Sequence, residues 1–432
     1  MKKYIFCILL IISICFQSFA QNIVTLEQCH EWSEVNAPNF AQISKYEELS
    51  VIKQKDAIWS YLPKFDINGQ ATYQNPVLKI ESADYPMLEE FFPVFPHDYY
   101  KFTFDLNMPV YDGGTTNYLK KYNRISSEID ILNSEIALYN IKERVNGIYL
   151  NIFFTEGSLN ILNLHLENLD RDISKMRTLA ENGTVLKSNV DILEAEKLKI
   201  EQQKIEMEFS RSYLIRILGE YTNKDLSQAT FVLPKVEIND FGLTSNRLEM
   251  EAFTLQKTGL DYQKKLLTAE SQPKLNIFAS GGYARSTYNF FDTDFGWQYM
   301  VGASFKIPLI NWFKTKVGQD YLTIQQDVID LQLSDYERNV RIQMMQKLTD
   351  IEKYSKMIIQ DDAIVEKNES MIASAQMQLE EGIITANDYL KELTNQSEAL
   401  LNQQLHKLQL LQAKIEFNAL KGDLEFGKLT NE

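Results

Sequence analysis

Cysteine is nearly absent from this chain: there are three, and two of them, Cys7 and Cys15, fall within the first twenty residues. Beyond that point only Cys29 remains, so no internal disulfide can form and a stapled secreted scaffold is excluded. Histidine is almost as scarce. His30, His97, His165 and His406 have no i, i+4 partner, no second thiol and no acid cluster at ligand spacing, so neither a metal site nor a cofactor is expected. They read as ordinary surface or interface residues. No apolar run after residue 20 approaches the roughly 18 residues of a membrane helix, so a chain that enters a bilayer must do so as strands. Positive charge is in deficit, 44 Lys and Arg against 59 Asp and Glu for a net −15. That balance argues against nucleic acid and anionic lipid as partners.

Catalytic chemistry is missing as well. Gly113-Gly114 and Gly281-Gly282 lack the strand-Gly-helix spacing of a phosphate loop. They suit a strand-to-helix corner and a thin place in a sheet. Carboxylates sit beside lysines on helical patterns, as in Glu194, Glu196 and Lys197, which is solvated helix surface. No acid, base or nucleophile cluster emerges, and the chain is not expected to be an enzyme.

What is present begins with a leader. Lys2 and Lys3 precede an apolar stretch from Ile5 to Phe16 and a small-residue site at Ser18-Phe19-Ala20, the pattern of an export signal over 1–20. Ile12-Ser13-Ile14 lacks the small residues of a lipoprotein cleavage site before Cys15, so simple cleavage before Gln21 is expected rather than N-terminal lipidation.

The remaining chain repeats itself. The stretch from Pro63-Lys64-Phe65 to Tyr73 sets over Pro273-Lys274-Leu275 to Tyr283. Met108-Pro109-Val110 sets over Ile307-Pro308-Leu309, and Glu181-Asn182-Gly183 over Glu380-Glu381-Gly382, both at an offset of 199 residues (307 − 108, 380 − 181). The first half carries eleven extra residues, since 63 to 109 spans 46 and 273 to 308 spans 35. They fall in a Pro-rich acidic loop over about 77–98, a surface excursion. The expected organisation is a first repeat over 21–218, a connecting segment over 219–245, a second repeat over 246–421 and a tail over 422–432. Each repeat holds two strands, near 64–74 and 99–108 and near 274–290 and 296–307, then a long helical hairpin with its tip near 182–190 or 381–388.

The strands alternate. Phe65, Ile67, Phe102, Phe104, Leu106, Met108, Leu275, Ile277, Trp297, Tyr299, Val301 and Phe305 share one side; Asp66, Asn68, Lys101, Asp105, Asn276, Ser280, Gln298, Ser304 and Lys306 share the other. A soluble sheet alternates too. The export signal, strands of about ten residues and aromatics near strand ends (Tyr99, Tyr100, Tyr288, Phe291, Trp297) point instead to a lipid-facing barrel wall. Asp66, Asn68, Lys101, Asp105, Gln298 and Lys306 are then candidates to face the lumen. Pro109, Gly113, Gly114 and Pro308 mark the junctions where strand gives way to helix.

The helices follow another period. Tyr118, Tyr122, Ile125, Ile129, Leu132, Ile136 and Tyr139 step by four and three, and after a slip the series resumes from Ile141 to Ala180. A 3.5-residue repeat demands a partner helix. A helix from Thr115 to Glu181 would extend about 100 Å at 1.5 Å per residue. Four strands cannot close in lipid, because two edges stay unpaired and small barrels need about eight strands. The chain must associate through its strands; two copies give eight and three give twelve, and sequence alone does not choose.

With these residues in place, the chain resembles the TolC-type outer membrane efflux proteins over essentially its whole length after the leader. The resemblance rests on Leu26-Glu27-Gln28, "MPVYDGG" at Met108 to Gly114, "GTVLKSNVDILEAE" from Gly183 and "GIITANDYLKELT" from Gly382. It implies a mixed α+β membrane fold: a homotrimer with a twelve-stranded outer membrane β-barrel continuous with a periplasmic α-helical tunnel. Its tips would meet a periplasmic adaptor (membrane fusion protein) and an inner-membrane pump, in a tripartite efflux or type I secretion system. The family's tip motif falls on Gly183, Asp191 and Leu193 and on Gly382, Asp388 and Leu390. Where the prototype closes its entrance with Tyr and Arg, this chain has Leu379 and Ile384. Asp388 matches a position whose carboxylates ring the entrance; the competing expectation is a helix N-cap, with Asn387 beside it.

Three function classes follow: a passive export conduit; a periplasmic or surface coiled-coil scaffold or adhesin, which would leave the duplicated alternation without a role; and an outer membrane enzyme, which lacks its catalytic cluster. The conduit accounts for most of the chain.

Overall fold

The structure is a computed structural model describing residues 22–77, 93–238, 240–285, 287–289, 291–309 and 311–423. The expected leader, most of the loop near 77–98 and the tail beyond 423 lie outside the described residues. In chain order the elements are β1 (Asn22–Val24), α1 (Leu26–Asn36), α2 (Pro38–Trp59), β2 (Lys64–Tyr73), β3 (Asp98–Tyr111), α3 (Thr115–Glu181) and α4 (Lys187–Thr222). There follow β4 (Ala229–Phe231), α5 (Leu248–Glu270), β5 (Lys274–Arg285), β6 (Gly296–Lys306), α6 (Asn311–Glu380) and α7 (Ala386–Lys421). The chain divides into two compact units.

One unit comprises Ile43–Asn133 and Glu251–Leu333. Its sheet runs β2-β3-β5-β6 with every neighbour antiparallel. Helical segments follow in the same order. The Asn123 amide donates to the Lys53 carbonyl at 3.2 Å, Gln263 donates to the Tyr122 hydroxyl at 2.8 Å, and Lys257 meets Asp330 at 2.7 Å, tying α2 to α3, α3 to α5 and α5 to α6.

Two strand boundaries differ from expectation. Pro109 does not end β3, which runs on to Tyr111; it sits at a register shift between Pro109 and Tyr111 against β5, where a residue without N–H costs no ladder bond. β5 stops at Arg285 rather than near 290. There the guanidinium turns to the loop, donating to the Thr293 carbonyl at 3.2 Å and pairing with Asp98 at 2.9 Å.

The other unit comprises Met1–Gln42, Ser134–Met250 and Ser334–Glu432. β1 and β4 pair in parallel, and the Tyr149 hydroxyl, fully buried, lies 2.9 Å from the Val24 carbonyl and 2.7 Å from that of Val232. A capping box between Thr25 and Gln28 starts α1. α4 passes Gly219 and ends at Thr222, with Asn223 as a left-handed C-cap, so the first four residues of the expected connecting segment are helical.

The α3–α7 seam is layered. Apolar Leu162, Leu169 and Met176 alternate with the buried polar groups Ser158, His165 and Asp172, spaced seven residues apart. His165 Nδ1 lies 2.9 Å from Ser397 Oγ, Gln376 donates to Asp172 at 3.0 Å, and the Tyr389 hydroxyl donates to the other Asp172 oxygen. Polar groups at core positions fix register at some cost in stability. His30 and His406 are likewise not surface residues: His30 is buried 2.6 Å from Asn146 Oδ1, and His406 lies 2.6 Å from Asp361.

Candidate functional site

Register alone sorts the sheet into two faces. Asp66 faces Asp105 and Asn68 faces Thr103 across β2–β3; Asp105 faces Ser280 across β3–β5; Gly282 faces Gln298 and Lys274 faces Lys306 across β5–β6. Directly opposed residues share a face. Asp66, Asn68, Lys101, Asp105, Gln298 and Lys306 therefore all lie on one face. The Asn68 amide donates to Asp105 at 2.6 Å and the Thr103 hydroxyl at 3.0 Å.

The opposite face is hydrocarbon and bare. Phe65 is 78% exposed, Trp297 80%, Tyr299 83% and Val301 71%, with Ile67, Phe102, Phe104 and Phe305 also exposed. Soluble monomers rarely leave a contiguous apolar face of this extent open to water. Tyr100 and Tyr283 stack on Phe295, and Tyr283 packs against Trp297, gathering aromatics at the loop end of the sheet. Both edge strands, β2 and β6, have one side unpaired among the described residues.

At the opposite end of the strands, Gly113 and Gly114 take φ of 75° and 88°. The Asp112 carboxylate, which sequence reasoning passed over, closes this corner. It accepts from the amides of Gly114 at 2.8 Å and Thr116 at 2.7 Å and from the Tyr61 hydroxyl at 2.9 Å. Pro308 lies between β6 and α6.

The hairpin ends belong to the other unit. Gly183 and Gly382 both have positive φ, 76° and 71°, and each closes its turn through the next residue's amide, Thr184 to Leu179 at 2.9 Å and Ile383 to Gln378 at 2.8 Å. Leu193 is buried, Leu390 half-buried, and both join one apolar cluster with Leu379, Tyr389 and, at its margin, Ile384. Asp191 and Asp388 are exposed. Asp388 is not an N-cap: α7 starts at Ala386 with Thr385 as cap, and Asp388 completes a capping box, accepting from the Thr385 amide at 3.1 Å. Those hydrogen bonds hold its carboxyl below the usual carboxylate range. Asp172, one heptad beyond His165, is the group that the sequence left unmarked; its signal was a charge inside an apolar series. Burial raises its pKa.

Among the described residues no helix is long and apolar enough to cross a membrane, and no group of three or more metal-ligating side chains forms.

The arrangement, long paired helices and a sheet bare on one face, is a mixed α+β fold. Residues 242–423 match the outer membrane efflux protein family. No curated protein matches the sequence. The CmeC outer membrane channel of Campylobacter jejuni is similar at a TM-score of 0.69 and 13% identity, over 93% of this chain and 86% of that one. VceC of Vibrio cholerae gives 0.70 and 15%, over 93% and 97%. The open-state MtrE channel of Neisseria gonorrhoeae gives 0.66 and 13%, over 94% and 91%. At these identities the structures speak for the fold, while the family match speaks for the second half of the sequence. The family match thus covers residues 242–423, and the solved channels share the fold of the chain as a whole.

Proposed function

We propose that this protein is the passive outer membrane conduit of a tripartite efflux or type I secretion system. Three copies close twelve strands into a barrel and carry cargo from periplasm to exterior, while an adaptor and an inner-membrane pump supply docking and energy. The observation that carries this reading is the sheet: one face hydrocarbon, the other polar, both edges open. Hydrocarbon cannot tolerate an open edge, so copies must complete it. A row of exposed apolar side chains on α6 (Val317, Tyr321, Ile324, Val328, Leu331) steps by four and three, as a helix–helix seam does, and supports lateral association. In the same reading Gly183, Asp191, Leu193, Gly382, Asp388 and Leu390 form the periplasmic entrance, and the chain has no catalytic role.

Replacing Phe104 and Val301 by lysine places charge in the acyl region at about 2–4 kcal/mol each near the bilayer midplane. Loss of insertion and of a heat-modifiable oligomer on gels is expected for these variants. Undisturbed insertion would remove the lipid-facing assignment, and failure of the wild type to conduct in planar bilayers would remove the conduit. Crosslinking pulldown identifies the adaptor and pump.

A further inference from the structure

The polar face of the sheet carries a charge arrangement that runs against the acidity of the chain. At the helix-proximal ends of three of its four strands stand Lys64, Lys274 and Lys306. Lys274 and Lys306 are direct partners in the β5–β6 register, which roots two cationic side chains opposite each other on the same face. Like charges directly opposed are destabilising in a sheet. Among the described residues none of the three lysines makes an ion pair. Two acids share the face, and neither pairs with these lysines: Asp105 accepts from the neutral donors Asn68 and Thr103, and Asp66 stands opposite Asp105 across β2–β3. One rung further, Asn276 faces Ser304, offering neutral hydrogen-bonding groups. Beyond that rung the Phe278 ring lies over Gly302, where an added Cβ would meet it at 2.7 Å, so an apolar wall closes the far side.

We infer that Lys274 and Lys306, flanked by Lys64 and by Asn276 and Ser304, form a site for multivalent anionic groups, carboxylate or phosphate, at the helix-proximal end of the barrel lumen. The inference rests on the conduit reading and names a cargo class for it. A multiply charged anion offers each of the two opposed lysines a charge-assisted acceptor oxygen and offsets their mutual repulsion. Three copies would present nine such lysines (3 × 3), concentrating anions where lipid gives way to the tunnel and favouring their entry into the bore.

The test is single-channel recording of the full-length protein in planar bilayers, with inorganic pyrophosphate added on the helical side. Wild type should show concentration-dependent block that weakens as KCl is raised. In the Lys274→Gln/Lys306→Gln double variant the half-blocking concentration should rise at least about tenfold, which is about 1.4 kcal/mol. The reversal potential in a KCl gradient should move toward cation preference. Lys274→Arg/Lys306→Arg should retain block, and the single Gln variants guard against a double variant that does not assemble. Conducting channels with equal block in wild type and Gln variants would overturn the anion site while leaving the conduit standing. Absence of conductance in wild type would overturn the conduit, and the site with it.

Discussion

Gly113 offers a sharp test of how the sheet is joined to the helices. It is buried, its φ is +75°, and a Cβ built on it would lie 2.5 Å from the Ala269 carbonyl oxygen and 2.7 Å from Gln272 Cβ. Gly114, its neighbour, has φ of +88°, but its Cβ would meet only the Tyr118 ring at 3.4 Å, an ordinary contact. Both alanine variants carry the left-handed penalty of about 1–2 kcal/mol, and both gain the same restriction of the unfolded chain. Those contributions cancel between the two. What remains is the clash of Gly113→Ala with backbone at the end of α5, which cannot rotate away as a side chain would; overpacking of this kind costs about 1–3 kcal/mol. Gly113→Ala should therefore be less stable than Gly114→Ala by that amount, a factor of roughly 5 to 150 in the unfolding equilibrium. Urea unfolding in detergent, followed by tryptophan fluorescence, reads it out, since Trp59, Trp297 and Trp312 all lie in the same unit as the junction. Equal midpoints, or a less stable Gly114→Ala, would refute the account of the corner.

The four barrel strands, the long helix over Thr115–Glu181 and the two-face rule were legible because each rests on a local period, two for strands and 3.5 for the helix seam, maintained over many residues. The strand ends were less so. Pro109 reads as a stop in isolation, yet a bulge absorbs it, and whether a bulge exists depends on β5, some 170 residues away in sequence (276 − 109 = 167). Arg285 ends β5 through Thr293, in the loop that follows, and through Asp98, 187 residues away, which no local window contains. The turns between the paired helices were marked by Gly183 and Gly382, because positive φ leaves a mark in sequence. The helix start at Thr385 was missed because Asp388 is an equally good cap by composition, and only the reciprocal bonds of the box decide. The buried polar layers at His165 and Asp172 were overlooked for the same reason: a polar residue in a heptad series looks like an interruption until the neighbouring helices supply partners, Ser397 and Tyr389 from α7 and Gln376 from α6.

Asp388→Asn keeps an acceptor oxygen for the Thr385 amide but removes the charge, so α7 should start unchanged while block by multivalent cations from the periplasmic side weakens severalfold; unchanged block would take Asp388 out of the entrance. A pH prediction follows from His30. Its ring is buried against Asn146, and burial lowers its pKa to about 4 from 6.5, outweighing the Asn146 hydrogen bond. Between pH 6.5 and 4 the unfolded chain takes up a proton that the folded ring refuses. Stability from this group is thus complete above pH 6.5 and declines as pH falls through that window, by about 3 kcal/mol in all for a 2.5-unit shift (6.5 − 4) at 1.36 kcal/mol per unit. Asp172 acts in the opposite sense: with its folded pKa raised by burial, its contribution grows as pH falls. The two are separable because His30→Gln removes only the first. Urea unfolding of the full-length protein in detergent at pH 7, 5.5 and 4.5 should show a shallower loss of stability in His30→Gln than in wild type, the difference amounting to no more than one proton. Identical slopes would mean that the ring is protonated in the folded state, which the 2.6 Å contact with Asn146 Oδ1 could then accommodate only as an imidazolium donor.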